Sequence, residues 1–349
     1  MTGAATLSVR EVRHLFSRRR NLVLAGLALL VVVLFTAAML IGDYPLAPSE
    51  VLTALLSRIA GSADPGADFI VLGVRLPRAA AAIVTGAAFG LSGAVFQTVL
   101  RNPLASPDIV GITTGASAAA VLAILMFKWT GAPVAVSACL GAVLVAAVIY
   151  GLAWRGGITP YRLVLIGIGT AAIGGALISY LFTRARVNDV QRALAWLSGS
   201  LNGATFESLV PLASGLVVLL PAMVALSLSL RSLELGDDTA KALGTRVELS
   251  RMGLLLVAVL LAALATSTVG PISFVAFLAG PIAKRLLGPS IALLPAAAMT
   301  GALLPLGADL IAQHGLGRNQ LPVGVVTGAL GAVFLIYLLI TVNRAGRGN

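Results

Sequence analysis

Long uncharged apolar runs separated by short polar segments dominate the chain. Most of them have about the 20 residues that an α-helix needs to cross a bilayer. The exception, Met252–Ala283, is too long for one crossing, and a Gly270-Pro271 pair near its middle would turn the chain. We therefore divide that run into two spans. The runs are Leu22–Ile41, Ala79–Leu100, Ile109–Phe127, Ala132–Trp154, Leu163–Thr183, Ser208–Leu230, Met252–Ala283, Leu286–Ala308 and Val323–Asn343.

This pattern predicts an all-α polytopic membrane protein with about ten transmembrane helices, and the distribution of basic residues supports that number. With ten spans, sixteen of the 24 lysines and arginines lie on the cytoplasmic side and eight outside, as the positive-inside rule requires. Nine spans would leave the basic residues of the last turns outside. We predict a cytoplasmic segment over residues 1–20, a single transmembrane domain over 21–343 and a cytoplasmic tail over 344–349.

One strongly charged segment, Leu233–Arg251, interrupts the apolar pattern and is cytoplasmic in this topology. Gly236 and Gly244 bracket a stretch without helix breakers, which predicts a short amphipathic helix between two turns. A solvated loop between two spans is one interpretation of the spacing. The other is a docking helix that a water-soluble partner binds.

The composition agrees with a membrane protein and does not indicate nucleic-acid binding. Apolar residues make up 58% of the 349 residues and charged residues 11%, and the net charge of +11 comes from basic residues that flank apolar runs. Arg18–Arg20 before an apolar run also resembles a secretory signal, but that run is long for one, so we interpret it as a retained first helix. Cys139 is the single cysteine, and His14 and His314 are too far apart to suggest a metal site.

Several function classes find no support in the residues. Every Asp, Glu, Lys and Arg falls at or outside a predicted span boundary, which argues against a proton-coupled carrier but leaves a backbone-lined sodium site open. None of the lysines (Lys128, Lys241 and Lys284) follows a glycine, so a Walker A motif is absent and any ATP must be hydrolysed by another subunit. No HExxH or GxSxG motif indicates catalysis, so the chain is expected to be non-catalytic. A stand-alone secondary carrier or an intramembrane enzyme are the rival interpretations.

Blocks spread along nearly the whole chain resemble the FecCD family, the membrane subunits of type II ABC importers for ferric siderophores, haem and vitamin B12. Within the family the chain is most similar to the ferric enterobactin permease branch, around LAWRGGI, LELGDDTAKALG and NQLPVGVVT. The matching blocks are RLPR from Arg75, the stretch Gly86–Ala116 with its specific RNPLASP, AWLSGSLNG from Ala195, LELGDDTAKALG from Leu233, GPISFVAF from Gly270 and QLPVGVVTGALG from Gln320.

The resemblance implies a set of partners and a role for the charged segment. We expect a second FecCD-type permease (a heterodimer, with a homodimer as the alternative), two ATPase subunits that carry ATP and Mg, and an extracytoplasmic binding protein. No cofactor or metal is expected on this chain. Leu233–Gly244 would be the coupling helix that inserts into the ATPase. Its coupling residues would be Asp237, Asp238, Thr239, Ala240, Lys241, Ala242, Leu243 and Gly244.

The same resemblance assigns outer and inner sites. Arg75 and Arg78 match external arginines that would dock the binding protein, although both could also be snorkelling anchors at a helix end. Arg318 would supply a further outer charge in place of one that relatives carry elsewhere. Gly280–Lys284 lacks a histidine that many relatives carry, which puts a third docking contact in doubt. The resemblance also implies a cytoplasmic gate and a pathway helix with room for a bulky chelate. These gate and pathway residues would be Asn102, Leu104, Thr159, Pro160, Tyr161, Gly167 and Gly169.

The expected function is therefore import of a ferric siderophore, of catecholate type, across the cytoplasmic membrane of a bacterium. Vitamin B12 or haem is the alternative cargo. Iron would stay inside its chelator, so the protein would need no ligands for it.

Overall fold

The structure, a computed structural model, describes residues 9–60, 65–155, 157–288, 293–315 and 320–345. The described residues are helical and contain no strand, which confirms the all-α prediction. The helices are α1 Val9–Leu40, α2 Pro48–Ala60, α3 Pro65–Asp68, a π-helical segment Phe69–Arg75, α4 Leu76–Val99, α5 Ile112–Met126, α6 Ala132–Ala153, α7 Pro160–Arg184, α8 Val187–Leu197, α9 Phe206–Glu234, α10 Asp237–Ala242, α11 Val247–Val269, α12 Val275–Leu287, α13 Leu293–His314 and α14 Val323–Ala345.

Seven of the described helices are long and apolar enough to cross a membrane. Two shorter apolar helices, α5 and the first part of α14 (Val323–Tyr337), lie within two of the predicted runs. The long run Met252–Ala283 is indeed divided, since α11 ends at Val269 and α12 begins at Val275. With α12, these ten helices lie at the positions of the ten predicted spans.

Helix α12 is short because the chain between α11 and α12 returns into the protein before it becomes helical. Its 13 residues rise about 20 Å, less than the roughly 30 Å of a hydrocarbon core. The first turn of α12 lies against the inner half of α4, where a Cβ built on Gly93 would be 1.8 Å from the Ala276 carbonyl oxygen. Gly270 and Phe274 bound this connection, both with positive φ.

The core is built around α4, which packs against α9, α11, α12 and α13. A Cβ on Gly86 would lie 2.3 Å from the Gly301 carbonyl oxygen, and one on Gly90 would lie 2.2 Å from that of Ala297. The GxxxG spacing of Gly86 and Gly90 therefore brings α4 and α13 into backbone contact, as such small-residue pairs do in membranes.

Two of the segments that connect the predicted spans contain helices that the apolar pattern did not indicate. The described residues between the first and second spans hold α2, α3 and the π-helical segment, which continues directly into α4. The segment between the spans at Leu163–Thr183 and Ser208–Leu230 holds α8. The basic triplet Arg18–Arg20 lies inside α1 rather than before it, because α1 begins at Val9.

Candidate coupling surface, gate and outer face

Helix α10 lies in the charged segment between two glycines, and both have backbone conformations that only glycine adopts easily. Gly236 has φ +109° and Gly244 has φ +81°, so each turns the chain at an end of the helix. Asp237 and Asp238 occupy the first turn and Lys241 the last, which matches the helix dipole. The predicted short helix between turns is therefore present.

One face of α10 is turned into the protein and the other is open. Ala240 is fully buried, whereas Leu243, an apolar side chain, is 62% exposed. Asp238 and Lys241 project into solvent and approach each other at 3.8 Å. Thr239, Ala242 and Gly244 are exposed as well. Among the predicted coupling residues, the open set thus combines charged, small and apolar groups that a partner can contact.

Asp237 differs from its neighbours because its carboxylate faces the protein and binds two arginines. Arg251, which is only 3% exposed, donates from Nη2 to its two oxygens at 2.8 and 3.0 Å. Arg101 donates from Nη2 to Oδ1 at 2.5 Å and also binds the Leu233 carbonyl oxygen. Burial raises the pKa of Asp237, but the hydrogen bond from Arg251 and the charges of Arg251 and Arg101 outweigh it, so the pKa lies below its usual value.

Arg251 extends this network to a third segment. Its Nη1 donates to Glu248 Oε1 at 2.9 Å and to the Ile158 carbonyl oxygen at 3.1 Å, and the Ile158 N–H donates to Glu248 at 3.4 Å. We call Arg101, Asp237, Glu248 and Arg251 the coupling network. It fastens α10 to the loop after α4 and to the loop before α7.

The predicted gate residues lie next to the network in both loops. Asn102 follows Arg101, and its Oδ1 accepts from the Leu104 N–H at 2.9 Å. Thr159 follows Ile158 and is the N-cap of α7, with Pro160 as the first helical residue. Tyr161 extends into solvent with 79% of its surface exposed. One gate element therefore adjoins Arg101 of the coupling network, and the other adjoins Ile158, whose carbonyl oxygen accepts from Arg251.

A cavity of about 320 Å³ lies behind the first gate loop. Glu234, at the end of α9, forms an ion pair with Lys284 of α12 at 3.4 Å across it. Its lining residues are Gln97, Thr98, Arg101, Asn102, Pro103, Glu234, Pro281 and Lys284.

The glycines of α7 lie on two different faces of the helix, one packed against the protein and one open. A Cβ on Gly167 would lie 2.6 Å from the Val110 carbonyl oxygen, so Gly167 allows α7 to pack on the start of α5. A Cβ on Gly169 would meet nothing within 4 Å. Gly169 thus lies on an open face, and its pathway role stays a prediction.

The two outer arginines bind groups within the chain. Arg75 is 9% exposed, and its guanidinium donates to the carbonyl oxygens of Met39, Leu40 and Tyr44 at 2.6, 3.3 and 2.5 Å. It therefore caps the end of α1, whose last carbonyls have no helical partner. Docking of a binding protein through Arg75 stays a prediction and would require a second contact on the exposed part of the side chain.

Arg78 forms a bidentate ion pair with Asp309 of α13, with both distances 2.9 Å. Gln313 donates to the same carboxylate at 2.7 Å. Asp309 is buried within a helix, so the expectation that every ionisable residue lies at or outside a span boundary is wrong at this position. The pair was not predictable because its members are 231 residues apart. Arg318 lies outside the described residues.

Asp108 is a second acid that the sequence analysis missed. It accepts a hydrogen bond from the Thr113 hydroxyl at 2.5 Å, and its carboxylate lies near the backbone N–H of Phe274. Phe274 is the N-cap of α12 with φ +66°. Asp108 therefore joins the N-terminal ends of α5 and α12, a contact that no spacing in the sequence indicates.

Comparison with known proteins identifies relatives over most of the chain. The model of the FecCD transport family matches residues 29–341. The ferric enterobactin transport system permease protein FepG of Escherichia coli (strain K12) is 44% identical over 87% of this chain and 91% of its own length. The vitamin B12 import system permease protein BtuC of Vibrio cholerae (strain ATCC 39315 / El Tor Inaba N16961) is 34% identical over 93% of this chain and 94% of its own length.

A solved structure shows the same architecture. It is a metal-chelate type ABC transporter in an inward-facing conformation, 27% identical, with a TM-score of 0.78 over 91% of this chain and 98% of the solved chain. The similarity therefore extends to the three-dimensional arrangement of nearly all helices.

Proposed function

We propose, from the premise that the chain belongs to the FecCD transport family, that it is the permease subunit of an ABC importer in the cytoplasmic membrane of a bacterium. Two ATPase subunits bind its cytoplasmic face, and they alone bind ATP and Mg. A binding protein delivers the cargo outside, and a second FecCD-type permease completes the pore. The chain itself catalyses no reaction.

The observation that carries this proposal is the construction of α10. Its outer face is open, with Leu243 exposed, while its inner face is held by buried and ion-paired groups. An exposed leucine at the end of a helix that ion pairs hold to the protein has no stabilising contact within this chain. A partner that covers Leu243 would remove its apolar surface from water. A partner that binds the outer face can push or pull α10 as a unit.

The coupling network supplies a route from that partner to the gate. A displacement of α10 moves Asp237, and with it the guanidinium groups of Arg101 and Arg251. Arg101 adjoins Asn102, and Arg251 binds the Ile158 carbonyl oxygen beside Thr159. Hydrogen bonds of 2.5–3.1 Å and the adjacent backbone therefore connect both gate elements to α10.

The second permease contacts this chain along α7. This helix is largely exposed, although it is long and apolar enough to span the membrane. Glycines such as Gly169 and Gly175 on its open face, where an added Cβ meets nothing, leave space at a subunit interface. A pathway between two such helices accommodates a bulky chelate and holds it loosely, since tight binding would oppose release.

The proposed cargo is a ferric siderophore of the catecholate type. The support is the 44% identity to a ferric enterobactin permease over most of both chains. Vitamin B12 is the second candidate, because a vitamin B12 permease is 34% identical over a similar length. Both cargoes are large chelates whose metal stays within the organic ligand.

Uptake of radiolabelled iron chelates into vesicles that contain ATP, the two permeases, the ATPase and the binding protein tests the proposal. We expect ATP-dependent uptake of a ferric catecholate, and its loss when Leu243→Glu places a charge on the open face of α10. Arg155→Glu, a charge change at an exposed cytoplasmic position outside α10, is the matched control and should retain uptake.

The outcomes separate the parts of the proposal. Uptake that persists without the ATPase would show a secondary carrier instead. ATP-dependent uptake of vitamin B12, but not of iron chelates, would retain the importer and replace its cargo. Equal uptake by the Leu243→Glu variant and the control would refute the role of α10.

A further inference from the structure

Two arginines lie at the outer end of α7, the helix whose open face contacts the second permease. Helix α7 begins at the cytoplasmic gate residues, and its 25 residues rise about 37 Å, more than the roughly 30 Å of a hydrocarbon core. Its last turn therefore reaches the outer surface of the membrane. Arg184 ends that turn, and Arg186 follows in the connection to α8.

Tyr180 and Arg184 continue the open face of α7. Tyr180 follows Gly169 by about three helical turns, so the two residues lie on one side of the helix. Tyr180 is 55% exposed, and the Arg184 guanidinium carbon (Cζ) lies 5.5 Å from the centre of its ring. A guanidinium that lies over an aromatic ring can still donate from the N–H groups at its edge. The pair therefore presents an aromatic and cationic surface beside the proposed pathway.

Neither arginine has an acidic partner among the residues that the structure describes. Both side chains are exposed, and neither guanidinium forms an ion pair or a hydrogen bond within the described part of the chain. Asp189, the acid of the following helix, instead binds Lys128 and Arg192. We call Tyr180, Arg184 and Arg186 the α7 rim. Two positive charges of the rim are therefore available to an anion from outside.

Local stability accounts for one of these charges but not for the other. A cation in the last turn of a helix interacts favourably with the helix dipole, and Arg184 occupies that position in α7. Arg186 is the N-cap of α8, where the same dipole disfavours a cation. An arginine side chain also has no acceptor for the free N–H groups at a helix start. An external anion explains the charge at Arg186 better than the stability of α8 does.

We propose that the α7 rim selects the cargo by charge and favours an anionic chelate over a neutral one. This inference rests on the proposed function, because the pathway along α7 is part of it. In a ferric tris-catecholate, three doubly charged aromatic ligands surround ferric iron, so the complex carries three negative charges. A ferric tris-hydroxamate has three singly charged ligands and is neutral. The arginines attract the first complex, and Tyr180 offers a ring to its catechol faces.

The size of the effect follows from the charges. Three negative charges at about 7 Å from one arginine in water gain an attraction that salt at physiological strength lowers by about half. We therefore expect a change in affinity of about threefold per arginine and about tenfold for both.

Equilibrium dialysis of radiolabelled iron chelates against the assembled transporter in nanodiscs, without ATP or binding protein, tests the proposal. We expect the wild-type chain to bind the ferric tris-catecholate about tenfold more tightly than the ferric tris-hydroxamate. Arg184→Gln/Arg186→Gln should lose about tenfold in affinity for the catecholate and leave the affinity for the hydroxamate unchanged. The double variant with lysine at both positions should keep most of the affinity, because the charge remains.

Two further variants distinguish the rim from general attraction to the outer surface. Arg192→Gln removes an outer arginine that already binds Asp189, and it should change the affinity for the catecholate by less than about twofold. Tyr180→Leu removes the ring beneath Arg184 and should weaken binding of the catecholate although the charge remains.

Equal affinity of the wild-type chain for the two chelates, or an unchanged affinity for the catecholate in the glutamine pair, would overturn the proposal. If the complete transporter still shows ATP-driven uptake, either result leaves the proposed function intact. A complete wild-type transporter that takes up no chelate with ATP would instead contradict the proposed function and, with it, the selection of cargo by the rim.

Discussion

Replacing Asp237 by asparagine removes the charge that holds Arg101 and Arg251 together beneath α10. Breaking a fully buried ion pair costs about 3–5 kcal/mol, because a charge is left uncompensated. Here the loss is smaller, since the Asp237 side chain is 38% exposed and Arg251 keeps its bond to Glu248. We therefore expect the attachment of α10 to weaken by about 2 kcal/mol, a factor of about 30.

Hydrogen exchange measured on peptides that cover residues 236–244 reports this opening directly, since amide protection follows the local free energy. We expect exchange about 30-fold faster in Asp237→Asn. Asp237→Glu keeps the charge and is the matched control, with a smaller change expected. In the assembled transporter, the Asp237→Asn variant should reduce the number of chelate molecules imported per ATP hydrolysed.

A double-mutant cycle with Arg101→Gln separates the ion pair from other effects of substitution. The two changes should be less than additive, because each removes the same contact. Exchange in Asp237→Asn that stays within twofold of wild type, or strictly additive effects, would refute the reasoning that the coupling network holds α10.

Three further predictions concern the core, the outer face and pH. Gly90→Ala should lower the melting temperature in detergent strongly, because its Cβ would meet α13 backbone at 2.2 Å, whereas Gly169→Ala, with nothing within 4 Å, should not. Asp309→Asn should cost about 3–5 kcal/mol by stranding Arg78, and an unchanged melting temperature would contradict the buried pair. Because the pKa of Asp237 is lowered, the carboxylate stays charged and its ion pairs are fully formed at every pH above the usual carboxyl pKa of about 3.9. Hydrogen exchange in α10, corrected for the intrinsic exchange rate, should therefore be constant from about pH 5 to 8. It should become faster only in stronger acid, where Asp237 is protonated.

The helices could be predicted from sequence wherever one local pattern determined them. Each long apolar run holds a helix, and the run Met252–Ala283 holds two, α11 and α12, which the Gly270-Pro271 pair separates as expected. The short length of α12 was not predictable, because it follows from the contact of Gly93 with Ala276, 183 residues further along the chain. Helices α2 and α8 were missed because polar and apolar residues mix in the segments that connect the predicted spans.

In the candidate site, too, local sequence predicted some features, and others depend on contacts between distant parts of the chain. The position of α10 between Gly236 and Gly244 followed from local turn chemistry. Which of its acids faces inward did not, because Asp237 and Asp238 are adjacent and identical, and only Arg101 and Arg251 in the folded chain distinguish them. The ion pair of Arg78 with Asp309 was hidden for the same reason.

Cross-linking between α10 and the ATPase subunit tests the central claim most directly. In a Cys139→Ser background, Leu243→Cys provides one thiol on the open face of α10, and Arg155→Cys provides one at an exposed cytoplasmic position elsewhere. We predict that a short bismaleimide joins the Leu243→Cys chain to a single-cysteine ATPase and blocks ATP-driven uptake, while the Arg155→Cys chain stays unlinked and active. An assembled, active transporter in which only the Arg155→Cys chain is linked would contradict the account.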